Sequence, residues 1–190
     1  MSRENNIRIL KESEAFLEGH FILSSGRHSG GYCQCAHLLR FPDKAAEVLK
    51  DVADQLREVE FDKLCGPAMG GIIVSYELGR QLGKEAIFTE RVDNVMTLKR
   101  FSVNPGDRII ITEDVITTGK STLETVAALE KLGAKVIGLA CIADRRADGV
   151  DFPLPVYSAV KLDIQSYETD SCPLCKEGKL PPVKPGSRKM

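Results

Sequence analysis

Short apolar runs alternate with longer amphipathic stretches from residue 61 onward. The runs are bounded by Gly, Pro or Asp and predict five β-strands, in FDKLCG, EAIFTE, DRIIIT, AKVIGLACI and LPVYSAV. Two stretches between them, GGIIVSYELGRQLG and GKSTLETVAALEKLG, are typical of helices. In the second, Leu123, Val126 and Leu129 fall near one face, and Gly133 suits a C-terminal cap. Alternating strands and helices predict an α/β fold with a mainly parallel, helix-covered sheet.

The two ends of the chain have different patterns. We expect a helix over about residues 7–17, an extended stretch GHFILSSGRHSGGY, and a second helix over residues 42–56. After Tyr157 the chain is rich in Pro, Cys and Lys, which favours an extended or mobile tail. We therefore predict a single domain of residues 1–190, with a small N-terminal hood in 1–60, a core sheet in 61–160 and a tail in 161–190.

Charge gives no indication of a nucleic-acid or membrane partner. The 190 residues carry a formal net charge of −1, and 28% of them are charged. No apolar run approaches the ~20 residues that a membrane helix needs. The start, MSRENNIRIL, lacks the apolar segment of a secretory signal. We therefore expect a cytoplasmic protein that binds neither nucleic acid nor membrane.

The chain contains six cysteines, which a reducing compartment would keep as thiols or metal ligands. Two of them, Cys65 and Cys141, lie in apolar stretches and are expected in the core. The others form two close pairs, Cys33 with Cys35 and Cys172 with Cys175. The second pair is either a zinc site, completed by the first pair as a tetrahedral thiolate set, or simply two thiols.

The segment EDVITTGKST overlaps the end of the third predicted strand and resembles the end of a nucleotide-binding P-loop. That pattern requires a glycine five positions before Gly119, and Asp114 stands there instead. Glu113 and Asp114 would repel a polyphosphate that had to lie close to the backbone at this point. The sequence therefore excludes a P-loop triphosphatase.

The same segment suits a different phosphate ligand. The carboxyl ends of parallel strands bind ligands, and a helix N-terminus offers backbone N–H groups and a favourable dipole to an anion. A single phosphate fits such a turn, while the acidic pair before it is suited to accept hydrogen bonds from hydroxyls. Together they indicate a ribose 5-phosphate. The residues of the turn are Thr117, Thr118, Gly119, Lys120 and Ser121.

The stretch EDVITTGKS resembles the phosphoribosyl-diphosphate (PRPP) signature of type I phosphoribosyltransferases, and closely that of orotate phosphoribosyltransferases. GHFILSSGRHSGGY is similar to the F-x-L-x-S-G-x-x-S segment of the family, CGPAMGGI to its G-P-x-x-x-G-I loop, and IADR to its strand-end Asp-Arg. CPLCKEGKLPPVKPGSR resembles the tail of a bacterial subgroup. The similarity spans most of the chain, in order, and implies the parallel-sheet, Rossmann-like fold of this family.

The resemblance implies transfer of ribose 5-phosphate from PRPP to orotate, with Mg²⁺ held through PRPP, by a homodimer in pyrimidine (UMP) synthesis. It implies that Asp114 is catalytic, that residues 66–71 approach the pyrophosphate, and that Thr117 and Arg145 bind orotate. A planar guanidinium suits the orotate carboxylate, whereas Arg146 is expected to face water. The implied PRPP-binding residues are Arg91, Glu113, Asp114, Val115, Ile116, Thr117, Thr118, Gly119, Lys120 and Ser121.

The chain departs from the family pattern at several basic positions. Ser24 stands where the family has Lys, and Met69-Gly70 stands where it has Tyr-Lys. The loop over residues 91–103 is expected to be a mobile lid, with Lys99 a candidate catalytic residue. The cations that neutralise the leaving pyrophosphate are left open among Arg27, His28, Lys99 and Arg100.

Three alternatives remain at this point. A phosphoribosyltransferase for another nucleobase would have less need of an arginine at the position of Arg145. A non-enzymatic PRPP-sensing regulator on the same fold would usually add a helical DNA-binding domain or a basic surface, and the sequence shows neither. A metal-binding interaction protein would leave the ribose-phosphate segment unexplained.

Overall fold

A computed structural model describes residues 3–23, 25–147 and 152–185. Ser24 and the last five residues of the predicted tail lie outside the described residues. The helices are α1 (Arg3–Glu12), α2 (Ala36–Leu39), α3 (Pro42–Leu56), α4 (Gly70–Leu82), α5 (Lys120–Glu130) and α6 (Pro173–Glu177). The strands are β1 (Phe16–Ile22), β2 (His28–Cys33), β3 (Lys63–Pro67), β4 (Glu85–Val92), β5 (Val95–Thr97), β6 (Arg108–Ile116), β7 (Lys135–Asp144), β8 (Val156–Lys161) and β9 (Ser166–Tyr167).

The main sheet has six strands in the order β5-β4-β3-β6-β7-β8. Strands β4, β3, β6, β7 and β8 pair in parallel, and only the edge strand β5 is antiparallel, through a hairpin with β4. The five predicted strands correspond to β3, β4, β6, β7 and β8. The predicted α/β fold with a mainly parallel sheet is therefore confirmed.

Helices cover this sheet on both faces, which explains why its central strands contain apolar runs such as residues 109–111 of β6. Successive residues of β6 alternate between two buried clusters: Ile110 packs with Leu64 on one face, while Ile109 and Ile111 pack with Cys65 on the other. Helices α1, α3 and α4 contribute to the first cluster, and α5 contributes Leu129 to the second. Among the described residues, no helix is long and apolar enough to cross a bilayer.

A second, three-stranded sheet, which we call the hood sheet, has the order β1-β2-β9. Its strands are antiparallel, and β9 comes from the predicted tail. Helix α1 ends at Glu12 rather than near residue 17, because β1 begins at Phe16. Helix α3 packs in the core of the main sheet. The hood sheet therefore contains strands from both ends of the chain, whereas the predicted hood comprised residues 1–60.

The described part of the tail folds back onto the hood sheet. A 3₁₀ turn at Thr169–Ser171 and the short helix α6 follow β9. Further on, the backbone N–H of Ile22 donates to the Val183 carbonyl at 2.8 Å, and the N–H of Val183 donates to the His20 carbonyl at 2.9 Å. The sequence predicted an extended or mobile tail, and up to residue 185 backbone pairing and burial of Cys172 hold the tail against β1.

Candidate active site

Three loops with distinct chemistry meet at one edge of the main sheet. They follow the carboxyl ends of β3, β6 and β7, which are neighbours in the sheet. Ile116 at the end of β6 lies beside Asp144 at the end of β7, and the backbone N–H of Arg145 donates to the Ile116 carbonyl at 2.9 Å. The sheet order therefore brings together the glycine-rich loop, the phosphate turn and the strand-end arginine that the sequence singles out.

Asp114 lies directly against the glycine-rich loop after β3. A Cβ at position 70 would lie 2.5 Å from Cγ of Asp114, so that only glycine fits at Gly70 without moving the carboxyl group. The backbone N–H of Val115 donates to Oδ1 of Asp114 at 2.9 Å. This close approach places the acidic group between the two loops that the sequence associates with pyrophosphate and phosphate.

The two acidic side chains have raised pKa values because the protein shields them from water. Burial and, to a smaller extent, the neighbouring Asp114 raise the pKa of Glu113 to about 8, although a hydrogen bond with Thr122 acts in the opposite direction. Burial also raises the pKa of Asp114, against the effect of the Val115 N–H. A ligand that donates hydrogen bonds to the two carboxylates would therefore stabilise their ionised forms.

The phosphate turn lies between β6 and the N-terminus of α5. Gly119 has a φ of 71°, a conformation that L residues rarely adopt, and a Cβ there would lie 2.4 Å from the Phe152 ring. Thr117, Thr118 and Lys120 are exposed. Ile116 is 1% exposed and packs in the core, so that only its backbone can serve a ligand. The turn thus presents backbone N–H groups at a helix N-terminus, as an anion site requires.

The two arginines after β7 have opposite surroundings. Nε of Arg145 is buried and has no hydrogen-bond partner among the described residues. Arg146 forms a bidentate pair with Asp144, with Nε–Oδ1 at 3.0 Å and the second contact at 2.8 Å, and its guanidinium lies over the Phe152 ring. The expectation that Arg146 faces water was wrong, because the Asp144 carboxylate and an aromatic ring hold its side chain.

Comparisons with known proteins agree with this geometry. Residues 37–167 match the phosphoribosyl transferase domain. The chain is 45% identical over 191 residues to an orotate phosphoribosyltransferase from Caldanaerobacter subterraneus subsp. tengcongensis, with 100% of each chain covered. The chain belongs to the orotate phosphoribosyltransferase family.

Solved structures show how widely the fold of this family is shared. The orotate phosphoribosyltransferase of Mycobacterium tuberculosis H37Rv, in complex with inorganic phosphate, has a TM-score of 0.68 at 22% identity over 84% of this chain and 95% of that one. An adenine phosphoribosyltransferase from Rhodothermus marinus has a TM-score of 0.63 at 19% identity over 84% and 99%. Orotate and adenine enzymes therefore share this architecture, and the fold by itself does not choose the base.

The basic residues that the sequence offered as partners of the pyrophosphate have different surroundings in the structure. Arg27 donates to the side chain and carbonyl of Ser166 at 3.0 and 2.8 Å and pairs with Glu168. His28 is 5% exposed, and its Nδ1 lies 2.8 Å from Nε2 of His20. Both side chains have partners within the hood, which they would have to leave to reach a pyrophosphate, and their roles stay predictions.

The remaining basic residues belong to the segment that follows β4. Arg91 pairs with Glu124 of α5, and Arg100 donates to Glu90 at 2.8 Å. Lys99 is exposed and forms no ion pair within the described part of the chain. The PRPP roles of Arg91, Lys99 and Arg100 stay predictions, and the two arginines must exchange their carboxylate partners to reach a pyrophosphate.

The first part of this segment is more regular than the predicted lid. Strand β4 continues to Val92 and turns into β5 at Asp93 and Asn94, which have φ values of 50° and 64°. Two positive φ values in a two-residue turn are typical of a type I′ hairpin. Residues 91–97 are therefore a β-hairpin, and the irregular part is confined to residues 98–107.

Two buried thiols at and just after the end of β2 were not assigned to the site by the sequence. Sγ of Cys33 lies 3.8 Å from Sγ of Cys35. The hydrogen bond with Cys35 and the charge of Arg145 lower the pKa of Cys33, while burial and the charge of Asp114 act against them. These influences locate the end of β2 near both the acidic pair and the strand-end arginine, a proximity that no sequence pattern indicates.

The acidic pair also fits the metal that the family implies. Mg²⁺ prefers oxygen ligands and is usually bound through one or two carboxylates together with substrate phosphates. Glu113 and Asp114 supply carboxylate oxygens beside the phosphate turn, and the ionised forms of both are short of stabilising partners. The donor set at this edge therefore suits a Mg²⁺ ion that arrives with a diphosphate ligand.

Proposed function

We propose that this chain transfers ribose 5-phosphate from PRPP to orotate, giving orotidine 5′-phosphate and pyrophosphate. The observation that carries the proposal is the meeting of Asp114, the phosphate turn and Arg145 at the ends of adjacent strands. Each recognises a different part of the two substrates: a diol, a terminal phosphate and a carboxylate. The 45% identity to an orotate phosphoribosyltransferase over the whole chain supports the same reaction.

The acidic pair acts on the ribose. In the reaction the bond from ribose C1 to pyrophosphate breaks, and a bond from C1 to a ring nitrogen of orotate forms, so positive charge develops on the ribose ring. Burial raises the pKa values of Glu113 and Asp114, and hydrogen bonds donated by the ribose hydroxyls favour their ionised forms, whose negative charge then stabilises the cationic ring electrostatically. Residues 117–121 hold the 5′-phosphate, and fixed positions for both substrates supply much of the rate enhancement.

Arg145 selects the base. Orotate differs from uracil by a carboxylate, and a guanidinium binds that group with two parallel hydrogen bonds. The buried Nε of Arg145 has no partner among the described residues, and a buried donor without a partner costs free energy that a bound carboxylate restores. Thr117 is exposed at the same edge and is proposed to contact the base.

The remaining properties follow from the family. We expect a homodimer that works in the cytoplasm in pyrimidine nucleotide synthesis. Mg²⁺ bound with PRPP offsets the negative charge of the diphosphate. Residues 66–71 approach the pyrophosphate through their backbone, because Gly70 has no side chain to occupy the space beside the Asp114 carboxylate.

An assay of the purified protein with PRPP, Mg²⁺ and a panel of bases tests the proposal. We expect pyrophosphate release with orotate and much less with uracil, adenine, guanine or hypoxanthine. Turnover with a neutral base and none with orotate would establish the alternative of another nucleobase. PRPP binding without turnover of any base would favour the non-enzymatic regulator.

A further inference from the structure

Four potential metal ligands meet in the hood, in a cluster that we call the His–Cys cluster: His20, His28, Cys172 and Cys175. Each offers one ligand atom, and the four atoms lie within 4.8 Å of one another. They come from three elements, since His20 is on β1, His28 is on β2, and the cysteines flank the start of α6. Folding therefore assembles a Cys₂His₂ set from residues far apart in the sequence.

We propose that the His–Cys cluster binds one Zn²⁺ ion that fastens the C-terminal segment to the hood sheet. This inference is independent of the proposed transferase activity. Two nitrogens and two sulfurs are a common ligand set of structural zinc sites. Two thiolates and two neutral imidazoles also give a complex without net charge, which suits a site where three of the four residues are buried.

The distances in the cluster are close to those of a tetrahedral zinc site. Zn–N bonds of about 2.0–2.1 Å and Zn–S bonds of about 2.3 Å place tetrahedral ligand atoms roughly 3.3–3.8 Å apart. Sγ of Cys175 lies 3.7 Å from Nε2 of His20 and 3.2 Å from Nδ1 of His28. Sγ of Cys172 lies 3.6 Å from Nε2 of His20. To accept an ion between them, the two nitrogens, 2.8 Å apart, must separate, and the most widely spaced ligand atoms, within 4.8 Å of one another, must move closer.

The hydrogen bonding of His20 leaves the appropriate nitrogen free to bind a metal. Nδ1 of His20 lies 3.0 Å from the carbonyl oxygen of Leu180, which can only accept a hydrogen bond. Nδ1 therefore carries the proton, and the lone pair of Nε2 faces the cysteines. Metal-bound histidines commonly donate their other N–H to a carbonyl in this way, which fixes the ring orientation. The residue that accepts this bond belongs to the tail, so the tail supports the site beyond its two cysteines.

A zinc ion here would stabilise the part of the hood with the least secondary structure. Strand β9 has two residues and α6 has five, and elements this short are rarely stable alone. The ion joins them to β1 and β2, as the backbone bonds between Val183 and His20 do further along. The sequence suggested Cys33 and Cys35 as the partners of Cys172 and Cys175, whereas among the described residues the two cysteines of the tail are grouped with His20 and His28.

The first measurement is the metal content of the full-length chain purified without chelator. We expect about one equivalent of zinc per chain, removed by a strong chelator together with a fall in thermal stability. The metal-free protein titrated with Co²⁺ should show the ligand-field bands of a tetrahedral site and sulfur-to-cobalt charge transfer. Added Zn²⁺ should abolish these bands at one equivalent, with release of thiol protons.

Variants identify the ligands. Cys175 is exposed, so Cys175→Ser should fold, and we expect it to bind zinc at least about tenfold more weakly and to lose part of the charge-transfer band. His28→Gln should weaken zinc binding and keep the sulfur bands. The control is Cys33→Ala with Cys35→Ala, which removes two buried thiols outside the cluster and should retain the full zinc content.

Three results would overturn the proposal. One is less than about a tenth of an equivalent of zinc both as purified and after reconstitution. Another is zinc content and affinity unchanged in Cys175→Ser but lost in the Cys33→Ala, Cys35→Ala control. The third is a different metal, such as iron, as the tightly bound ion.

Discussion

Asp114 is the residue whose replacement tests the proposed transfer most directly. Asp114→Asn keeps the shape of the side chain and its contact with Gly70 but removes the charge that favours a cationic ribose. We expect normal folding and a fall in turnover on the order of 100- to 1000-fold, as for loss of one preorganised electrostatic group. Steady-state kinetics measure it. Asp54→Asn on α3, an exposed carboxylate, is the control and should keep its turnover. Near-normal turnover of folded Asp114→Asn would contradict the assigned role.

Glu113 should make stability depend on pH in an unusual direction. Its folded pKa of about 8 lies above its unfolded value, so the folded state holds a proton that the unfolded state loses. Stability contributed by the protonated group is therefore complete at pH below about 4.3, declines as pH rises, and is fully lost above the folded pKa. Glu113→Gln should remove this decline and be more stable than the parent at about pH 9, but not at about pH 4. Denaturant unfolding at both pH values measures it. Parallel pH profiles for the two proteins would contradict a raised pKa.

Replacement of Arg145 should weaken orotate binding, whereas replacement of Arg146 should lower stability. Arg145→Ala removes the proposed partner of the orotate carboxylate, and loss of one side of such a pair costs about 2–5 kcal/mol, or roughly 30- to 5000-fold in orotate binding. PRPP affinity should stay within a few-fold. Arg146→Ala instead leaves the Asp144 carboxylate, 4% exposed, without its bidentate partner. We expect a loss of about 1–3 kcal/mol in the free energy of unfolding.

Calorimetric binding of orotate and PRPP, together with denaturant unfolding, separates the two arginines. Lys131→Ala, on the exposed end of α5, is a charge-matched control for both measurements. Orotate binding that depends on Arg146 and not on Arg145 would assign the base-binding role to Arg146, the partner of Asp144, and contradict the role proposed for Arg145. Orotate binding indifferent to both would remove the main chemical support for orotate as the base.

At the scale of elements, the segment after β4 combines a regular hairpin with an irregular stretch. The hairpin is fixed by β5 pairing, while Lys99 and Arg100 lie in the irregular part and are exposed. We predict that this stretch closes over PRPP, so that PRPP with Mg²⁺ suppresses tryptic cleavage after Lys99 and Arg100. Cleavage after Lys179, which lies in the tail and is exposed, is the internal control and should not change. Mass spectrometry of timed digests measures both. Equal cleavage at Lys99 with and without ligand would contradict closure.

The elements of the main sheet were predictable because each carries its own signal. A strand buried on both faces needs a run of apolar residues, such as Ile109, Ile110 and Ile111 of β6, and such a run is visible without knowing its neighbours. The hood sheet carries no comparable signal. Strand β2 has the sequence HSGGYC and β9 has two residues, so neither shows the alternation or β-branched content typical of strands. Their pairing depends on contacts between the two ends of the chain.

The same distinction applies to the sites. Residues 113–121 are contiguous, so the acidic pair and phosphate turn were visible as one segment in the sequence. The His–Cys cluster was only half visible. Cys172 and Cys175 form a local motif, but their partners His20 and His28 lie about 150 residues earlier on a sheet that the sequence did not predict. The pairing of Arg146 with Asp144 was also missed, since two adjacent arginines at a strand end look alike until their side chains are placed.

For the whole molecule, the sheet order decides which segments form the site. Strands β3, β6 and β7 are neighbours although an entire β-hairpin and helices separate them along the chain. Their carboxyl ends point the same way because the strands are parallel, so three loops converge at one edge. The hood approaches that edge through the end of β2, as the influence of Arg145 and Asp114 on Cys33 indicates. The proposed zinc ion would stabilise the same hood sheet, since its ligand His28 is on β2.

One exposed apolar surface lies beside this edge. Met69, Ile73 and Tyr76 are 81%, 47% and 70% exposed, and their spacing places them along one side at the start of α4. We predict that this stripe forms part of the homodimer interface, which would place a second copy next to the glycine-rich loop. Tyr76→Asp should shift the protein toward monomer in sedimentation velocity and lower its activity at low protein concentration. Leu132→Asp, an exposed apolar residue beyond α5, is the matched control and should remain dimeric. A dimer that persists unchanged in Tyr76→Asp would place the interface elsewhere, and a monomeric parent protein would contradict the assembly itself.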